Sequence, residues 1–212
     1  MNAKVPAATN QKGRLIFAMD ATMSREPTWD LALGLQSEMF AAVKDVGGLD
    51  VQLVYFRGAG ECRSSKWVSE PDALARLMTM VQCRGGHTQI EKVLGHARAQ
   101  AEKSKVSAMV YVGDAMEEAI DDVCAKAGEV SLLGVPVFLF QEGRDPNAER
   151  AYKEIARITH GAYCRFDAGS AHQLRALLSA VATFAAGGRR ALERLSHQPD
   201  GAGARLLLGQ LK

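Results

Sequence analysis

Three short stretches, far apart in the chain, carry oxygen-bearing side chains at junctions where a ligand can bind: Asp20-Ala21-Thr22-Met23-Ser24, Gly85-Gly86-His87-Thr88 and Gly113-Asp114. The first follows the apolar run Leu15 to Met19, and the last follows Ala108 to Val112. Short, continuous apolar runs of this kind read as strands buried on both faces of a parallel sheet. In an open α/β sheet, residues just past the carboxyl ends of the strands gather in one crevice. Asp20 and Asp114 with the hydroxyls of Thr22, Ser24 and Thr88 would then form an all-oxygen donor set. Such a set suits Mg²⁺, Mn²⁺ or Ca²⁺ rather than zinc. Taken singly, each stretch has a plainer reading. Ser24 or Thr28 can cap a helix, Thr88 can cap one beginning at Gln89, and Asp114 can close a strand and cap a helix from Ala115. All three arriving in order, each at a strand-to-helix junction, favour the metal.

The elements that must position these residues alternate along the chain. Thr28 to Lys44 reads as a helix, Asp50 to Phe56 as a strand, and Cys62 to Val68 as its short antiparallel neighbour. Pro71 opens a helix with Leu74, Leu77, Met78 and Val81 on one face, and Ile90, Val93, Leu94 and Ala97 repeat that spacing after Thr88. A helix is expected over Met116 to Glu129 and a strand over Gly134 to Phe140. Asp145-Pro146 then starts another helix, which ends near Gly161. Ala162 to Phe166 is the last strand, and Ser170 to Gln173 reads as a capping box for a final helix. Repeated strand–helix units predict an α/β, Rossmann-like, doubly wound fold. Its central sheet is mostly parallel, with about six strands, one short antiparallel edge strand and helices on both faces.

The three stretches also resemble the von Willebrand factor A domain, over roughly residues 13–186. Asp-x-Thr-x-Ser after the first strand, Gly-Gly-x-Thr before a long helix and an Asp after the fourth strand are similar to that family's metal-ion-dependent adhesion site. The resemblance implies Ser24, Thr22 and Thr88 as hydroxyl ligands, with Thr22 where the family usually has serine. It implies that Asp20 and Asp114 act directly or through ordered water. Ala115 stands where the family often has glycine, and Glu117 and Glu118 add an acid pair nearby. The function implied is protein interaction: Mg²⁺, or Mn²⁺ or Ca²⁺, leaves one coordination position for an Asp or Glu of a partner protein. Bacterial cytoplasmic members of such a family often work beside ATPases or assembly factors. Helix N-termini after Ser24 and Thr88 would add positive potential for the incoming carboxylate.

Composition narrows the alternatives. The chain has 212 residues, a formal net charge of +2, and 47% hydrophobic and 24% charged residues, an ordinary globular balance. So small a charge argues against nucleic-acid or membrane partners. No secretory core, GxGxxG, P-loop or HExxH pattern occurs, and the four cysteines lack CxxC spacing. A cytoplasmic protein without catalytic activity is expected. The expected organisation is a flexible N-terminus over 1–12, the domain over 13–186, and a basic C-terminal tail over 187–212. The tail's leucines offer a docking segment, for a partner or for the domain's own surface, as the alternative. Two other functions fit part of the pattern. Asp20, Gly113-Asp114 and Glu118 faintly resemble haloacid-dehalogenase-like phosphatases, but the second motif acid of that family would fall on Thr22. A metal-free scaffold of the same fold is the third reading.

Overall fold

The structure is a computed structural model and describes residues 12–167 and 169–211. Most of the expected N-terminal segment, 1–11, lies outside the described residues.

The sheet has six strands: β1 (Gly13–Asp20), β2 (Leu49–Arg57), β3 (Glu61–Val68), β4 (Ala108–Gly113), β5 (Val137–Glu142) and β6 (Ala162–Phe166). Their order is β3-β2-β1-β4-β5-β6. Every pairing is parallel except β2 with β3, which places the antiparallel strand at an edge, as expected. The alternation of strand side chains assembles two cores. Leu15, Phe17, Met19, Val110 and Phe138 face one side, beneath α1 (Glu26–Ala41), α2 (Pro71–Thr79) and α6 (Ala171–Ser196). Ile16, Ala18, Met109, Tyr111 and Leu139 face the other, beneath α3 (Ile90–Lys103), α4 (Ile120–Leu132) and α5 (Pro146–Ile158). Burial on both faces explains why β1 and β4 read as continuous apolar runs.

The sheet winds outward in both directions from β1 and β4, so the switch point lies between them. Their register pairs Met19 with Val112, which brings Asp20 and Asp114 out of the sheet side by side. This is the crevice in which open α/β sheets bind ligands.

Two expectations are corrected. The helix expected from Met116 begins only at Ile120, because the Glu117 and Glu118 side chains reach across to Thr88 and α3 instead of starting a turn. The basic tail expected from 187 is helical and packed. α6 continues through a kink at Gly188, whose φ of 66° is one a side-chain-bearing residue rarely adopts. It is followed by α7 (Ala202–Leu208). Leu192, Ala204 and Leu207 are buried in the same core as β1. The Gln210 side chain accepts from the Tyr163 amide at 2.9 Å and donates to the Tyr163 carbonyl at 2.8 Å, so it closes the free edge of β6. Docking on the domain's own surface is therefore what the structure shows for 187–211.

Candidate metal centre

Asp20 is the last residue of β1 and is 2% exposed. Its Oδ1 accepts from the Thr22 amide at 2.7 Å, an Asx-type turn that directs the following hydroxyls upward. A single 3₁₀ turn, Met23–Arg25, then leads into α1. The Thr22 and Ser24 hydroxyl oxygens lie 3.3 Å apart, and Ser24 Oγ donates to Asp114 Oδ2 at 3.4 Å. Four of the five expected residues thus form one hydrogen-bonded chain across the β1–β4 switch point.

Thr88 joins less directly. Its Oγ1 accepts from the Glu117 amide at 3.0 Å, and its own amide donates to Glu117 Oε2 at 2.9 Å. This reciprocal pair clamps the Thr88 loop to the loop that follows Asp114. Gly86 lets the loop approach, since a Cβ there would collide with the backbone of Gly58. Tyr152 holds the other side by donating from its hydroxyl to the Ala115 carbonyl at 2.8 Å. Thr88 makes no cap for α3. That role falls to Glu118, which accepts from the Ile90 and Glu91 amides at 2.6 and 2.9 Å. The positive end of α3 is thus already occupied by a carboxylate of the chain itself, which corrects its expected role of receiving a partner's acid. His87 is largely exposed and lies 3.3 Å from Glu117 Oε2.

The electrostatics are those of a site short of positive charge. Burial pushes the Asp20 carboxyl up from an ordinary 3.8 to about 6; hydrogen bonds from Thr22 oppose the rise and the nearby Asp114 charge adds to it. Asp114 Oδ1 is buried with no hydrogen-bond partner. An orphaned carboxylate oxygen beside a second carboxyl and two hydroxyls is the donor arrangement a hard divalent cation satisfies. Among the described residues, no three His, Cys, Asp or Glu side chains group closely enough to hold a metal by themselves. A cation here depends on the hydroxyls of Thr22 and Ser24, and on these terms the residues fit one.

Sequence reasoning missed two charged neighbours. Arg25, 4% exposed, reaches Asp114 Oδ2 at 3.4 Å through one guanidinium nitrogen and pairs with Glu142 through the other. Glu142, at the end of β5, also accepts from the Thr28 hydroxyl, so Thr28 spends its side chain on this carboxylate and not on a helix cap. The signal was present in principle, because Glu142 ends the strand next to β4 and belongs to the same crevice. Beside these groups lies a cleft of about 460 Å³, lined among others by Ser24, Asp114, Arg144 and Asp145.

No protein-family model and no curated protein sequence matches the chain. Solved structures match its fold. A von Willebrand factor type A protein from Catenulispora acidiphila superposes with a TM-score of 0.68 at 12% identity, covering 82% of this chain and 43% of its own. An aerotolerance-related membrane protein from Bacteroides fragilis, crystallised with multiple mutations to serine, gives 0.57 at 18% identity, covering 74% of this chain and 92% of its own. Proximal thread matrix protein 1 of the mussel byssus, solved with zinc in its adhesion-site motif, gives 0.62 at 18% identity over 82% of this chain and 48% of its own. This chain spans less than half of the first and third of these proteins. It has the von Willebrand factor A-type fold expected from the order of its motifs.

Proposed function

We propose that this protein is an interaction module that holds a divalent cation among Asp20, Thr22, Ser24, Thr88 and Asp114 and there receives an acidic side chain of a partner protein. The observation that carries this reading is the hydrogen-bonded chain from Asp20 to Asp114 at the switch point, ending on the unpartnered Asp114 Oδ1. The cation supplies a hard, positive acceptor for a carboxylate oxygen. The residues of the chain supply the rest. Asp20 holds the Thr22 turn, Ser24 bridges to Asp114, and the Glu117–Thr88 clamp fixes the third loop.

Hydroxyl and carboxylate donors favour Mg²⁺, Mn²⁺ or Ca²⁺. The mussel protein's zinc-filled motif makes Zn²⁺ a necessary fourth arm of any titration. Binding and not catalysis is the proposed role, because Thr22 stands where a phosphatase of the haloacid-dehalogenase type would need its general acid. We place the protein in the cytoplasm. Its four cysteines are free, as thiols in a reducing compartment are.

Water-proton relaxation of the Mn²⁺-loaded protein tests this function. Adding acetate or a short, terminally blocked glutamate peptide should lower the relaxation enhancement as a carboxylate displaces bound water, and the corresponding blocked glutamine peptide should not. Equal responses to both peptides would refute the acidic-partner reading.

A further inference from the structure

Arg25 is the least expected group in this crevice. A charged side chain that is 4% exposed must be held by partners, and both of its partners are carboxylates, Asp114 and Glu142. Asp114 is also the residue through which the cation reading joins β4 to β1. Its two oxygens are treated differently. Oδ2 faces the guanidinium at 3.4 Å and accepts from Ser24, whereas Oδ1 has no partner. Glu142 is buried and takes both Arg25 and the Thr28 hydroxyl, so the guanidinium has a second anchor that does not depend on Asp114.

The geometry points to Arg25 as a resident cation that competes with the divalent ion for Asp114, with Glu142 as the alternative seat to which it withdraws. This inference rests on the cation reading above. In the metal-free protein the guanidinium neutralises part of the charge that Asp114 would otherwise present. When a divalent ion binds, Arg25 keeps its Glu142 bond and gives up its hold on Asp114 Oδ2. Arg25 therefore sets the affinity of the site without being one of its ligands. The chemistry is general: even in the dielectric of water, a unit positive charge about 6 Å from a divalent ion weakens its binding about tenfold. The forked guanidinium lets arginine face one carboxylate with each terminal nitrogen, Asp114 with one and Glu142 with the other.

The test is calorimetric titration of Mg²⁺ and Mn²⁺ into wild type, Arg25→Met, Arg25→Lys and the double variant Arg25→Met/Glu142→Gln. The double variant removes both halves of the buried pair, so no lone buried carboxylate compromises its folding. The expected result is a dissociation constant about tenfold lower in Arg25→Met, a smaller decrease in the double variant because the Glu142 charge is lost with the Arg25 charge, Arg25→Lys close to wild type, and loss of binding when Asp114→Ala is added. Equal dissociation constants in wild type and both Met-bearing variants would overturn the role of Arg25 while leaving the cation site standing. Binding in the Met-bearing variants alone would support the competition and remove the metal from the native chain's function. No binding in any variant at millimolar metal would overturn both.

Discussion

Replacing Asp20 by Asn should make the metal-free protein more stable and deprive it of its metal. Asp20 is 2% exposed, and its carboxyl is pushed up by burial from 3.8 to about 6. The unfolded chain releases this proton near 3.8 and the folded chain near 6. Between those values the folded state binds more protons, so stability falls as pH rises through that window, and the cost is complete above it. With about 1.4 kcal/mol per tenfold change in proton affinity, keeping this carboxylate ionised costs the fold about 3 kcal/mol at neutral pH. Asparagine retains the oxygen that accepts from the Thr22 amide, so most of that cost should be recovered, less the desolvation of its unpartnered amide. Urea denaturation in chelator at pH 4.5, 5.5 and 7.5 isolates the effect as the difference between the two proteins. Asp20→Asn should be about 1–3 kcal/mol more stable at pH 7.5, with the gap closing toward pH 4.5. A variant equally or less stable at pH 7.5, or a gap that does not change with pH, would refute the reasoning. The same proton competes with a divalent cation, so metal stabilisation of the wild type should fade below about pH 6.

Two further substitutions probe the elements that hold the site and the fold. Leu207→Ala, at a fully buried position of α7, should cost about 2–5 kcal/mol in urea denaturation; a cost below about 1 kcal/mol would mean that the C-terminal helices are not part of the core. Gly86→Ala forces the Thr88 loop away from Gly58 and should weaken metal binding more than it lowers the thermal midpoint, as read by calorimetry and melting; unchanged affinity would detach the Thr88 loop from the site.

The fold was legible because both central strands are buried on two faces, and their apolar runs end abruptly in Asp20 and Asp114. The strand–helix alternation then placed those ends together. Less visible were contacts made by side chains across long sequence separations. Arg25 meets Glu142, 117 positions away, and nothing near either residue announces the other. The late start of α4 was hidden because Glu117 and Glu118 favour a helix locally, whereas the backbone amides of Thr88, Ile90 and Glu91 offer their carboxylates better partners. The segment after Gly187 reads as polar and basic, and only its leucine spacing hinted that Leu192 and Leu207 lie in the core.

The central claim is a divalent cation held between Asp20 and Asp114, and thermal unfolding tests it most directly. Wild type and Asp114→Ala should be melted across titrations of Mg²⁺, Mn²⁺, Ca²⁺ and Zn²⁺. At 100 times its dissociation constant a ligand stabilises by about 2.7 kcal/mol, roughly 5–10 °C in a domain of this size. A rise of that order in wild type with at least one of the four ions, and none in Asp114→Ala, is the predicted result. No rise in wild type at millimolar metal, or an equal rise in both proteins, would contradict the site.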